Sequence, residues 1–388
     1  MSASVTLVNA EGERFRYVVR GGAEFAVPSG PPSSRRAYAA AHVVADPLAE
    51  QLPGATAHLD WEATLAYRRH LWDCGMAVAE AMDTAQRGMG LDWEAAKELI
   101  ARSSSEAKAA RGVIACGAGT DQLAPGDDVT LEDVANAYQE QCEFIEGHGS
   151  RVIVMASRAL ARAARGPEDY AEVYSRVFAQ VREPVILHWL GEAFDPALAG
   201  YWGSREVEQA MDHCLAIIAE HAGQVDGIKI SLLDAEHERA MRSRLPEGVR
   251  MYTGDDFNYP ELILGDDTGY SDALLGIFDA IAPAAGAALA ALDNGDTERY
   301  RRILEPTVPL ARHIFSKPTY YYKTGITVLA FLNGHQEHFR MVGGQESARS
   351  APHLATLLVL ADEAGLVRDA ELAASRMRCL MELAGVRQ

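Results

Sequence analysis

The sequence predicts a closed (β/α)8 barrel carrying an N-terminal hairpin and C-terminal helices, and three observations support it. From residue 37 onward, short runs rich in Val, Ile and Ala alternate with longer helical patterns, as repeated βα units and a parallel sheet require. Eight such runs, separated by seven or more helices, occupy roughly the 250 residues of one barrel. No GxGxxG or Walker loop favours an open, doubly wound sheet instead.

Taken in order, Val5 to Val19 reads as a hairpin around Ala10-Glu11-Gly12-Glu13, and Pro28 to Ser34 reads as a linker. The expected barrel strands are Tyr38–Ala45, Met76–Met82, Gly112–Cys116, Arg151–Met155, Pro184–Trp189, Val225–Leu232, Val249–Thr253 and Gly269–Gly276. Helices are expected to begin near Asp60, Asp92, Thr130, Glu168, Ser204, Asp234 and Tyr259. Several of these positions offer an Asp, Thr or Ser side chain to accept the first free backbone N–H groups. The expected domains are a hairpin extension and linker over 1–34, a barrel over 35–281, and a helical region packed on the barrel over 282–388.

With 388 residues, 48% of them hydrophobic, the chain can bury a large core. Its formal net charge of −19 argues against nucleic acid or anionic membranes as partners, since phosphate binding needs clustered Lys and Arg. Five scattered cysteines without CxxC spacing suit a reducing cytoplasm. The apolar run Val5 to Val8 is too short for a signal-peptide core, and Ala282 to Leu292 is too short to span a bilayer. A cytoplasmic location without membrane insertion is therefore expected.

Lys229 is the most informative residue. It lies inside Val225-Asp226-Gly227-Ile228-Lys229-Ile230-Ser231-Leu232, where a strand buries its side chains. Burial disfavours the ammonium form and leaves more free amine near neutrality, and free amine condenses with carbonyls. The alternative is a lysine whose stem packs while its head reaches water. Barrel chemistry collects at the C-terminal ends of strands. That rule selects His42 and Asp46 after the first strand, and Asp83, Thr84, Gln86 and Arg87 after the second. It adds Ser157 and Arg158 after the fourth, His188 on the fifth, Lys229 on the sixth, and Gly254, Asp255 and Asp256 after the seventh.

In order and spacing, these motifs resemble the class I aldolase family of dihydrodipicolinate synthase and N-acetylneuraminate lyase over about residues 37 to 345. Gly227-Ile228-Lys229 is similar to that family's G-[IV]-K around its Schiff-base lysine, and Gly254-Asp255-Asp256 to its S-G-D-D turn. Weaker support comes from Val113-Ile114-Ala115-Cys116-Gly117-Ala118-Gly119 and from Leu91-Asp92-Trp93-Glu94. The resemblance implies a homo-oligomeric barrel in which Lys229 forms an iminium with a 2-oxo acid or sugar-derived carbonyl, without a metal or other cofactor. It places Thr84, Ala85, Arg87, Gly254 and Asp255 at the substrate.

The chain departs from the family at three places. His188 stands where the family has tyrosine, and histidine shuttles protons near neutral pH. The aromatic pair expected after strand four is replaced by Ser157-Arg158-Ala159. The G-T-T-G-E loop that grips the substrate carboxylate falls on Asp83-Thr84-Ala85-Gln86-Arg87, where Arg87 is the candidate for a charge-assisted contact. This is the pattern of a divergent branch.

Blander readings stand beside these. His188 is alternatively a core histidine, and Asp255 and Asp256 are ordinary turn and helix caps. His335 and His338 have no third ligand nearby and read as a solvated loop, while Tyr320-Tyr321-Tyr322 reads as packing or interface. Two other functions remain open: a metal-dependent barrel lyase or isomerase using His42, Asp46, Asp83 and His188, and a non-catalytic small-molecule-binding barrel.

Overall fold

The computed structural model describes residues 3–22, 25–123, 126 and 128–388. Strands β1 (Ser4–Val8) and β2 (Arg14–Val18) form the expected antiparallel hairpin. Eight parallel strands then close a barrel: β3 (Ala37–Ala40), β4 (Ala77–Glu80), β5 (Ile114–Ala118), β6 (Arg151–Met155), β7 (Val185–Leu190), β8 (Val225–Ser231), β9 (Arg250–Thr253) and β10 (Asp272–Leu275). They run in chain order around the ring, and β10 pairs with β3 to close it. Closure leaves the barrel sheet without an edge strand.

Residues cluster into two compact units. One comprises Arg35–Ala41 and Ala77–Gly276, and it contains the whole barrel sheet. The other comprises Met1–Ser34, His42–Met76 and Ile277–Gln388.

In the barrel unit, side chains alternate in and out along each strand. Tyr38, Ala40, Ala79, Ala115, Ile153, Ile186, Tyr252 and Leu274 pack together inside. At the N-terminal end, Arg36 and Tyr252 both bond Asp226, at 2.6 Å each, and Arg250 pairs with Asp272 at 3.0 Å. Gly227 is required there, because a Cβ at that position would lie 2.7 Å from the Tyr252 ring and 2.6 Å from the Arg250 carbonyl. The helices α1 (Trp93–Ala110), α2 (Leu131–Gly147) and α3 (Ala235–Arg242) start where their caps predict. Asp92 and Asp234 accept backbone N–H groups, and Thr130 forms a reciprocal capping box with Asp133. A further short helix, Arg158–Ala163, opens on Ser157 and was not expected from the sequence.

The second unit holds the hairpin together with helices. Asp362 receives the Tyr17 hydroxyl at 2.7 Å and the backbone N–H groups of Arg20 and Gly21, which anchors the hairpin to the helix Ala351–Glu363. The helix Tyr322–Leu332 is buried along its whole length, and Tyr322 stacks on Phe315. His335 packs at 4.2 Å from His70 and 5.2 Å from Tyr67 between ring centroids. The solvated loop expected for His335 is thus corrected to a ring cluster. No helix among the described residues is long and apolar enough to cross a membrane.

Candidate active site

Register fixes the centre of the site. His188 on β7 pairs with Lys229 on β8, and Lys229 pairs with Tyr252 on β9. His188 shares a face with Ile186, and Ile186 and Tyr252 both belong to the barrel interior, so His188 and Lys229 point inward. Lys229 is 4% exposed and His188 1%. No hydrogen bond or ion pair joins the Lys229 amine to another described residue. Burial lowers the lysine pKa from its ordinary value, and the carboxylates of Asp83 and Asp256 partly oppose that fall.

Burial, followed by the neighbouring Lys229, pushes His188 well below the usual histidine range, against a smaller upward pull from Asp83. His188 is therefore a neutral imidazole near pH 7. Its Nε2 lies 3.3 Å from the Ser231 hydroxyl, while its Nδ1 has no partner among the described residues.

Ser231 carries no role in the sequence reading, although it stands two residues beyond Lys229 and so faces the same way. Gly254 closes in behind both side chains. A Cβ there would lie 2.8 Å from Lys229 Cε, 2.3 Å from Ser231 Oγ and 2.5 Å from the Ile230 carbonyl, so only glycine admits the lysine stem.

Asp83 reaches the site from across the ring. It opens a short 3-10 turn, Asp83–Ala85, after β4, the strand diametrically opposite β8. Thr84 and Ala85 are buried in the same turn. The Ala85 and Gln86 N–H groups are used within the turn, on the Met82 carbonyl at 3.1 Å and the Asp83 carbonyl at 2.9 Å. Just before it, Ala81 adopts φ +53°, a strained region for a residue with a Cβ. Its N–H is held by Glu80 Oε1 at 2.9 Å and its carbonyl by Arg87 at 3.2 Å.

Arg87 is placed differently from its expected contact with substrate. All five of its N–H donors are engaged within the protein: two on Asp121, one each on the Ala81 and Gly117 carbonyls, and one on Gln141. It braces the loops after β4 and β5. Asp255 likewise turns into its own loop, accepting from the backbone of Phe257 and Asn258 and from the Asn258 side chain. Its neighbour Asp256 acts on Lys229 together with Asp83.

Both ring nitrogens of His42 are occupied, by Asp279 at 2.8 Å and Gln336 at 3.2 Å, and Asp46 bonds the Leu48 N–H. No group of three or more His, Cys, Asp or Glu among the described residues is arranged to hold a metal ion.

Residues 5–386 match the model of a family described as a protein of unknown function, DUF993. The chain belongs to that family. No curated protein matches this DUF993 chain.

Its fold is that of solved dihydrodipicolinate synthases. The Aquifex aeolicus structure superposes with TM-score 0.64 at 15% identity, covering 86% of this chain and 99% of that one. The Thermotoga maritima structure gives 0.63 at 15%, covering 86% and 100%. The chloride-inhibited Acinetobacter baumannii synthase, complexed with pyruvate, gives 0.60 at 14%, covering 86% and 100%. The DUF993 chain thus has the fold of the dihydrodipicolinate synthases, with the hairpin and barrel expected from its sequence.

Proposed function

We propose that this chain is a Schiff-base lyase or synthase that makes or breaks a carbon–carbon bond through Lys229. The observation that carries this reading is an amine buried inside a barrel, without an ion pair, in register with a neutral imidazole. The pyruvate complex of the Acinetobacter protein on the same fold agrees with it.

The Lys229 lone pair adds to a carbonyl carbon, the C=O π pair moves to oxygen, and loss of water leaves an iminium. For cleavage, a base removes the proton of a hydroxyl on the carbon once removed from the iminium carbon's neighbour. The O–H pair becomes a carbonyl, and the broken C–C pair becomes an enamine that neutralises the nitrogen. Protonation at carbon and hydrolysis then free the amine. His188 is suited to take up and return the proton, and Asp83 and Asp256 offset the iminium charge.

Borohydride reduction in a broad panel of ketones and 2-oxo acids is expected to fix ligand mass on the Lys229 peptide. Lys229→Ala is expected to abolish adduct and turnover together. An adduct on another lysine, or none from any carbonyl, rejects the proposal, and binding without trapping would favour a non-catalytic barrel.

A further inference from the structure

We propose that the carbonyl compound held by Lys229 bears hydroxyl groups rather than a carboxylate beside its carbonyl, with Asp83 and Asp256 accepting their hydrogen bonds. This rests on the Schiff-base reading and narrows its substrate class.

Closure of the barrel sets Asp83 opposite β8, and Asp256 follows by two residues the glycine that packs on the Lys229 stem. Asp256 is buried, and Asp83 acts on both Lys229 and His188. The two charged side chains that act on the amine are both carboxylates. A carboxylate on the carbon next to the iminium would be brought among these two carboxylates, and like charges in a site sheltered from water repel strongly.

Three groups that could receive such an anion are engaged elsewhere. Arg87 has no N–H donor left, and the Ala85 and Gln86 amides are bonded within their turn. Arg158, at the C-terminal end of β6, places its Nε on Asp195 at 2.5 Å. A hydroxyl group has the opposite fit, because it donates a hydrogen bond, and a carboxylate has about four lone-pair sites with which to accept one in addition to its protein partners. A polyhydroxylated ketone or aldehyde meets that demand.

The test compares borohydride trapping of the full chain by dihydroxyacetone and by pyruvate at equal concentration, with adducts mapped to Lys229. Dihydroxyacetone is expected to label faster by about tenfold or more, and Asp83→Asn is expected to shift the ratio toward pyruvate by a similar factor. Asp256→Asn is the second variant, and if neither folds the wild-type ratio decides. Equal or faster labelling by pyruvate in the wild type overturns this inference and leaves the Schiff-base reading standing. A dihydroxyacetone preference unchanged in well-folded Asp83→Asn and Asp256→Asn also overturns it. Failure of every carbonyl to label ends both.

Discussion

His188 and Lys229 illustrate how one neighbour sets the chemistry of another. An imidazole kept neutral by burial beside an amine keeps a lone pair available at pH 7 for transient proton transfer, and its Nδ1 has no competing protein partner among the described residues. His188→Phe is expected to lose about 10²- to 10⁴-fold in turnover while the Lys229 adduct still forms. Full activity in that variant would reduce His188 to packing. The same shift affects stability: the folded state resists protonating His188, whereas the unfolded chain takes up the proton near the ordinary value of 6.5. Stability is therefore expected to fall as pH drops through that value, and less steeply in His188→Phe. Both residues were legible in the sequence because a polar side chain inside an apolar strand is anomalous wherever that strand sits. Asp83 and Asp256 as neighbours of one amine were not legible, since their approach depends on closure across the ring. Nor was the engagement of Arg87, whose partners Asp121 and Gln141 lie 34 and 54 residues away.

At the scale of elements, α3 and β9 share a buried carboxyl group. Glu238 accepts from Thr253 at 2.9 Å and Ser271 at 2.7 Å, and Thr253 accepts the Asp255 N–H, so this contact supports the loop that carries Gly254 to Asp256. Burial pushes the Glu238 pKa up to about 8, while the unfolded chain titrates near 4.5. The folded state thus holds a proton that the unfolded state releases. This contribution is full below pH 4.5 and is lost as pH rises toward 8, at up to about 1.4 kcal/mol per unit. Glu238→Gln keeps one donor and one acceptor without a charge. Its stability relative to wild type is expected to rise across that window in denaturant titrations, and a difference independent of pH would refute the assignment. Element boundaries were legible where apolar runs and caps coincide, as at Arg151–Met155 and Asp92. β3 ends at Ala40 although its apolar run continues to Ala45, because that run continues into backbone that is buried without being strand. Burial, more than strand geometry, is what an apolar run reports.

At the scale of the molecule, the barrel was legible because repeated βα units leave few closed arrangements, and the parallel sheet follows from their order. The proposed carbon–carbon bond chemistry could stabilise its carbanion in two ways: on a metal ion acting as Lewis acid, or on an iminium on lysine. These require different architectures. A zinc-type centre needs three or more protein donors converging on one point, with outer partners orienting them. Here His42 is held by Asp279 and Gln336, Asp255 is turned into its own loop, and Asp83 and Asp256 act on an amine. An iminium needs a buried lysine with its nitrogen unengaged, a proton carrier beside it, and negative charge to balance the cation that forms. Lys229, His188, Asp83 and Asp256 supply those three elements. Exhaustive dialysis against a chelator is therefore expected to leave turnover of the trapped carbonyl compound unchanged, with the Lys229 adduct forming at the same rate. Loss of turnover restored by a divalent ion, with adduct formation unaffected, would assign the bond-breaking step to a metal and leave Lys229 only a binding role.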